Sequence, residues 1–421
     1  MHCNARGWGQ LGSLVLALWA GATLAEGFTA QGMCPGHPPA EAIKLPYDFE
    51  ALIRPRTFYK RTETLTGTEQ QAWALGGFAG LRSPWFGDLV QFGAVGYTSQ
   101  RLYGPAGEGG TLILTQTQGS ITTLGEAFGA VRLAGQTFTA YRQLIDRPFI
   151  NPQDTRMIPN TFEAYTVTGG AGELSYTGGY MTKMKTRASD SFVWASNAAG
   201  GTGPQKGVIY AGATYRIAET GYVKIDEVYS IDVFQTFYIE GKYPIRIEDK
   251  TQVVLGGQYY PQKSVGGAQI GSFSTYGYGL TAGVSHGALG AYLYYTQTGR
   301  GLTSPDPYGD HPSYLNVQQI IFDTAGEKAW GIRGTVDFNK LGVSGLTAYA
   351  IYAAGKDRIN SSNGAPLPNH NETDVRADYA FAKGTLLEGL VATIRYSWLH
   401  QDGAAQTQTD LRAFINYLVR F

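Results

Sequence analysis

Cysteine is almost missing from this chain, with only Cys3 and Cys34 among 421 residues. Cys3 falls in a leader-like stretch, so Cys34 stands alone beyond it and no intrachain disulfide is expected. The "QGMC" before Cys34 lacks the small-residue pattern of a lipoprotein site, which leaves Cys34 a bystander. Charge is also scarce, at 16% of residues, and balanced between 33 basic and 33 acidic side chains. That balance gives no reason to expect nucleic acid as a partner. Beyond the leader no run of about 18 apolar residues occurs, which excludes a helical membrane span.

What is abundant is glycine (57) and tyrosine (28), in a chain that is not hydrophobic overall. A soluble chain of this length predicts two or three domains. This composition points to one large unusual domain instead. At the N-terminus, Arg6 supplies a basic region and "LGSLVLALWAGATL" an apolar one, followed by small residues at Thr23-Leu24-Ala25. The pattern predicts an export signal over residues 1–25 and a periplasmic lead-in over 26–50.

From residue 51 to 421 the recurring signal is period-two alternation over roughly ten residues, broken by Gly, Pro, Asp and Asn. "ELSYTGGYMTK" sets Leu174, Tyr176, Tyr180 and Met184 against Ser175, Thr177, Lys183 and Lys185. "KAWGIRGTVDF" sets Trp330, Ile332, Val336 and Phe338 against Arg333, Thr335 and Asp337. About eighteen such segments are countable. Proline falls almost wholly between them; Pro55 is the exception, so the first strand is expected to begin or bulge there.

A soluble β-sandwich shows alternation too. Three features favour a membrane barrel. The polar edges carry charge in strand after strand, implying a wet interior. The apolar edges finish in Tyr, Trp or Phe, as at a bilayer interface, and connections alternate short and long. In hydrocarbon every backbone polar group must be paired internally, which a closed, even-numbered barrel achieves. The reading is all-β: a closed antiparallel transmembrane β-barrel of 18 strands. Its last strand, "LRAFINYLVRF", ends on Phe421 with Leu411, Ala413, Ile415, Tyr417 and Val419 toward lipid. Such an ending resembles the signal read by outer-membrane assembly machinery, placing the chain in a Gram-negative outer membrane.

Several stretches then resemble one family. "DRPFINPQDTRMIPNTFEAY" carries Asp154, Arg156, Pro159, Thr161 and Phe162 in an Asp-x-Arg-x-x-Pro-x-Thr-Phe core. Downstream stand "AGEKAW", "VDFNKLGVSGLTAYAIYAAG" and "KGTLLEGLVATIRYSW", in that order. The chain is similar in these blocks to the OprD-like substrate-selective porins of the outer membrane. The resemblance implies an 18-stranded monomer or loose homotrimer for small carboxylate solutes such as amino acids, short peptides or aromatic and cyclic acids. It also implies an inward-folded third loop as constriction and a ladder of basic side chains down the lumen.

Strand parity names the ladder candidates: Arg54, Arg56, Arg132, Arg142, Lys183, Lys185, Arg333, Arg376, Arg395 and Arg412. Of these, Arg54, Arg56, Arg395 and Arg412 come first, because early and late strands adjoin where the barrel closes. Asp146, Asp154 and Arg156 are candidates for the constriction loop, with Tyr165 and the span 298–325 adding to it. Arg156 equally suits an anchor to a wall carboxylate. Wall pairing with Glu126, Asp337, Asp374 or Asp378 is the competing role for each ladder member. A basic-amino-acid channel would need an acidic patch facing the ladder, for which Asp146, Asp154 and Glu163 are available.

A barrel enzyme of phospholipase or protease type would need a Ser-His or Asp-His group. His37, His286, His311, His370 and His400 stand in no recognisable nucleophile setting. Asp306, Asp310 and His311 in "SPDPYGDHP" read as turn chemistry rather than a metal site. No cofactor is expected. A plugged structural or adhesive barrel is the remaining alternative.

Overall fold

The computed structural model describes residues 49–420 except 219 and 383, and only the backbone of 419 and 420. The export signal, Cys34, all but the end of the 26–50 segment and Phe421 lie outside the described residues.

Alternating residues do form strands, and each strand pairs with the next. The order begins with β1 (Glu50–Glu63), β2 (Glu69–Arg82), β3 (Val90–Tyr103), β4 (Ile121–Leu133) and the short β5 (Gln136–Gln143). It continues with β6 (Thr161–Ala171), β7 (Leu174–Lys185), β8 (Val208–Arg216), β9 (Tyr222–Ser230) and β10 (Phe234–Glu248). Then come β11 (Thr251–Ser264), β12 (Ser274–His286), β13 (Leu289–Thr298) and β14 (Lys328–Asp337). The last are β15 (Leu346–Lys356), β16 (His370–Ala380), β17 (Leu390–Gln401) and β18 (Gln408–Tyr417). Two-residue pieces at Val193–Trp194 and Val419–Arg420 add short pairings to β7 and β1.

Closure is explicit. β1 pairs with β2 on one side and with β18 on the other, from Arg56↔Asn416 to Glu63↔Thr409. The sheet is therefore an 18-stranded antiparallel barrel without an edge, as the alternation required. Short turns lie at the end where β1 begins and β18 finishes, the periplasmic end by the rule for such barrels. Outward residues are large and apolar: Leu75, Leu81, Phe92, Leu280, Leu293, Ile394 and Trp398 are all exposed.

The strands contain more proline than expected. Pro55 lies inside β1, in unbroken register with Gly77, and Pro244 and Pro261 also sit within strands. Opposite Pro55, Gly77 adopts φ +114°, and a Cβ there would strike the Arg54 carbonyl. A glycine facing a residue without N–H lets the ladder pass this irregularity without a shift.

Two of the four one-residue bulges in the described ladders matter more. Gly125 in β4 and Thr182 in β7 are extra residues in their ladders. Each reverses which parity faces inward beyond it. Below Thr182 the inward residues of β7 are odd (Met181); above it they are even (Met184).

The interior is not uniformly wet, contrary to the expectation from charge alone. Three apolar clusters among the described residues fill much of it with inward-folded loops. In one, Ile145, Phe149 and Ile150 of loop 3 (144–160) pack on Phe162, Met181, Tyr210, Tyr238 and Tyr260 of the wall. In the second, Ile113 and Leu114 of loop 2 (104–120) and Met157 and Ile158 of loop 3 pack on Phe58, Tyr97 and Phe414. In the third, Tyr314, Leu315, Val317 and Phe322 of loop 7 (299–327) pack on Tyr294, Ile351 and Ala353. Burying several such side chains, at about 1.5–3 kcal/mol each, is what holds polar loops inside a pore.

Candidate pore lining and constriction

Register across the closure assembles a row of cations. Arg376 stands opposite Arg395, Arg395 opposite Arg412, and Arg412 opposite Lys60. Four adjacent strands thus bring four inward basic side chains to one level. Three consecutive like-charge pairs would be destabilising alone. Carboxylates on the same strands offset this. Arg376 donates twice to Asp378, at 2.7 and 2.8 Å. Arg412 donates to Asp410 at 2.6 Å, and Lys60 lies 3.2 Å from the same carboxylate.

The next level toward the cell exterior holds Asp374, Ser397, Asp410 and Thr62 in matching register. These acids hold loop 7. Asp374 accepts the Gln318 N–H at 2.9 Å, and Glu372 accepts the N–H groups of Gln319 and Ile320. Arg412 in turn donates to the Gln318 carbonyl. The tip of loop 7 therefore lies over the cation row, and Arg395 and Arg412 are only 2% and 3% exposed.

Loop 3 is tied to β1. Asp154 accepts from Arg54 and, at 2.8 Å, from Arg56, while Arg56 also donates to Asn416 and to the Arg156 carbonyl. Arg156 donates to the Thr111 and Thr155 carbonyls at 3.0 and 2.8 Å. It is an anchor, but to loop backbone rather than to a wall carboxylate. Asp146 remains exposed to water within the barrel.

The other candidates separate into inward and outward positions. Arg333 lies inward with its guanidinium 4.2 Å from the Tyr349 ring. Arg132 faces inward near the periplasmic mouth, 4.0 Å over the Trp85 ring of a turn. Arg142 does not face the lumen: it shares the outward edge of β5 with the exposed Phe138 and is in register with Glu163. Lys183 is also outward, because the Thr182 bulge reverses parity above it. Lys185 has the same parity but is fully buried, donating to the Pro159 and Thr186 carbonyls and fastening the end of loop 3. Tyr165, expected at the constriction, is 62% exposed on the outside.

Lys60 was missed, although it continues the even parity of Arg54 and Arg56. Gln318 carried no signal, although its backbone meets Asp374 and Arg412 and its side-chain amide donates to Asp410 at 2.8 and 2.9 Å. On the opposite wall, Arg147 of loop 3 donates to Asp226 of β9 at 2.6 Å, and Lys242 lies 3.3 Å from Glu240.

Loops 2, 3, 4 (186–207) and 7 also border an open vestibule cavity of about 340 Å³, lined by Gln153, Arg187 and Asp306 among others. Burial, and then the neighbouring Asp310, push the Asp306 carboxyl up to about 7. Burial is also the main cause lowering the Arg187 guanidinium to about 10. Asp310 and His311 belong to the loop's internal bonding. Asp310 accepts from Asn316 at 2.7 Å, and His311 Nε2 shares a hydrogen bond with the Tyr260 hydroxyl at 2.9 Å.

A sealed barrel narrowed by inward loops, with a row of cations on its inner wall beneath them, is an outer-membrane channel. A family model described as "outer membrane porin, OprD family" matches residues 47–421, and the chain belongs to that family of non-enzymatic porins. Porin D of Pseudomonas aeruginosa is 24% identical over 437 residues, covering 96% of each chain. Among solved structures, a BenF-like porin from Pseudomonas fluorescens Pf-5 matches with TM-score 0.80 and 19% identity, over 89% of this chain and 99% of that one. OpdK from Pseudomonas aeruginosa, solved with vanillate, matches with TM-score 0.76 and 18% identity over the same shares.

Proposed function

We propose that this porin passes small carboxylate-bearing solutes and favours anions. The observation that carries the reading is the row Lys60, Arg412, Arg395 and Arg376, extended by Arg54, Arg56 and Arg333 on the inward face. An anion entering a narrow pore loses hydration, and fixed cations offset that loss. Arginine suits the task because its charge is permanent and its fork matches a carboxylate.

The acids expected for a cationic solute are otherwise engaged. Asp154 is shared between Arg54 and Arg56, and Glu163 lies outside the lumen. Asp146 alone meets the water, with Lys224 and Arg147 as its charged neighbours. This supports simple carboxylates over basic amino acids. The structure of OpdK with vanillate, an aromatic carboxylate, is in keeping with it.

The loop 7 tip supplies a release mechanism. Arg412 donates there to a neutral carbonyl, a weaker acceptor than a carboxylate. An incoming carboxylate can exchange with Gln318 at Arg412 and hand back the site on leaving, so neither partner holds too tightly.

Reversal potentials of the purified protein in planar bilayers under a salt gradient test the reading. Anion preference, reduced in Arg395→Ala plus Arg412→Ala, is expected. Cation preference unmoved by that double substitution would overturn it.

A further inference from the structure

The outward face carries a charge cluster that the pore does not use. At the upper ends of β5, β6 and β7, Glu163 lies between two cations: Arg142 donates to it at 3.1 Å and Lys183 approaches to 3.6 Å. The three are in lateral register, Arg142↔Glu163↔Lys183. One carboxylate serves two cations, so the cluster keeps a net positive charge. Its side chains reach the surface, Arg142 at 23% and Lys183 at 35% exposure. Rings flank it: Arg142 lies 4.2 Å from Phe192, and Lys183 lies 5.7 Å from Trp194.

Its height is fixed by the same register. Tyr165 pairs with Tyr180, and Tyr180 with the exposed Ile209, forming an outward row where membrane barrels place interfacial aromatics. Glu163 is two residues beyond Tyr165 on the extracellular side, ~7 Å further along the strand. The cations therefore sit just past the aromatic row, at the depth of lipid headgroups. Deeper, in hydrocarbon, they would cost about 2–4 kcal/mol each. At headgroup depth they meet the charged part of the outer leaflet.

We propose that Arg142 and Lys183 form a binding site for a lipid-borne phosphate of the outer leaflet, with Phe192 and Trp194 beside the lipid body. Glu163 holds the two cations apart and competes with the phosphate for them. The inference needs the outer-membrane location but not the solute reading.

Native mass spectrometry of the full barrel in detergent, with diphosphoryl lipid A as probe, tests the site. Wild-type protein should retain the lipid, and Arg142→Gln plus Lys183→Gln should weaken retention about tenfold, as loss of charge-assisted hydrogen bonds implies. Glu163→Gln should instead strengthen it, because the competing acceptor is gone. Heat-modifiable gel mobility confirms that each variant is folded. Equal retention by wild type and the double variant would overturn the proposal. So would equal retention of dephosphorylated lipid A, or retention of inorganic phosphate as tight as that of the lipid. Unchanged or weaker retention by Glu163→Gln would show that the cluster serves only its own ion pairs.

Discussion

Two walls of the same lumen hold their loops by a different balance of forces, charge leading at one and rings at the other, although Phe58 and Phe414 also pack on loop 3 at the closure. At the closure, β16, β17, β18 and β1 present cations and carboxylates, and these grip loop 7 through Gln318, Gln319 and Ile320 and loop 3 through Asp154. Across the pore, Tyr210, Tyr238 and Tyr260 present rings, against which Phe149 packs at 5.3–6.0 Å from two of them. The first grip is directional and made of groups a passing anion also wants. The second is mainly non-directional contact between rings, with the Arg147–Asp226 pair as its ionic element. A constriction held only by charge would open to its own cargo, and one held only by rings would have no selectivity.

Two substitutions should cost most and separate the grips. Phe149→Ala removes a buried ring, at about 3–5 kcal/mol. Loop 3 should then exchange amide hydrogens faster and conductance should rise, with ion preference unchanged. Asp154→Ala breaks a buried pairing at a similar cost, about 3–5 kcal/mol. Here anion preference should rise with conductance, because Arg54 and Arg56 lose their shared carboxylate. Identical selectivity in the two variants would erase the distinction between the walls.

Next in size, Arg395→Ala plus Arg412→Ala should lower relative anion permeability roughly tenfold, the value of a charge-assisted contact. Lys60→Gln should move it the same way by less, since three cations of the row remain; a larger effect would make Lys60 the principal site.

The smallest effect concerns pH. Asp306, pushed up to about 7 by burial and Asp310, is largely neutral below that value and charged above it. Its negative charge then opposes Arg187 in the vestibule. Anion preference should therefore fall as pH rises from 6 to 8, and Asp306→Asn should abolish the dependence. A flat profile in the unsubstituted protein would remove Asp306 from the path.

The strands were legible because the pleat forces a period of two on any sheet with oil on one side and water on the other. Parity placed Arg395, Arg412, Arg54 and Arg56 correctly on the inward face. It failed at Lys183, where one unpaired residue, Thr182, reverses every side beyond it and has no signature in composition. It failed at Arg142 for a different reason. Polarity alone points to the lumen, yet at a strand's outer end a charged residue can face headgroups. The loops were least legible: nothing in "VQQI" announces that its backbone N–H groups would seek Asp374 and Glu372.

The four basic side chains that stand at one level come from opposite ends of the chain, Lys60 from the first strand and the others from the last three. No partly built ring can contain them. The electrostatic trap comes into being only when head and tail strands zip together. Ion discrimination is thus a report on completed assembly, and a barrel that inserts with its seam open would leak without choosing.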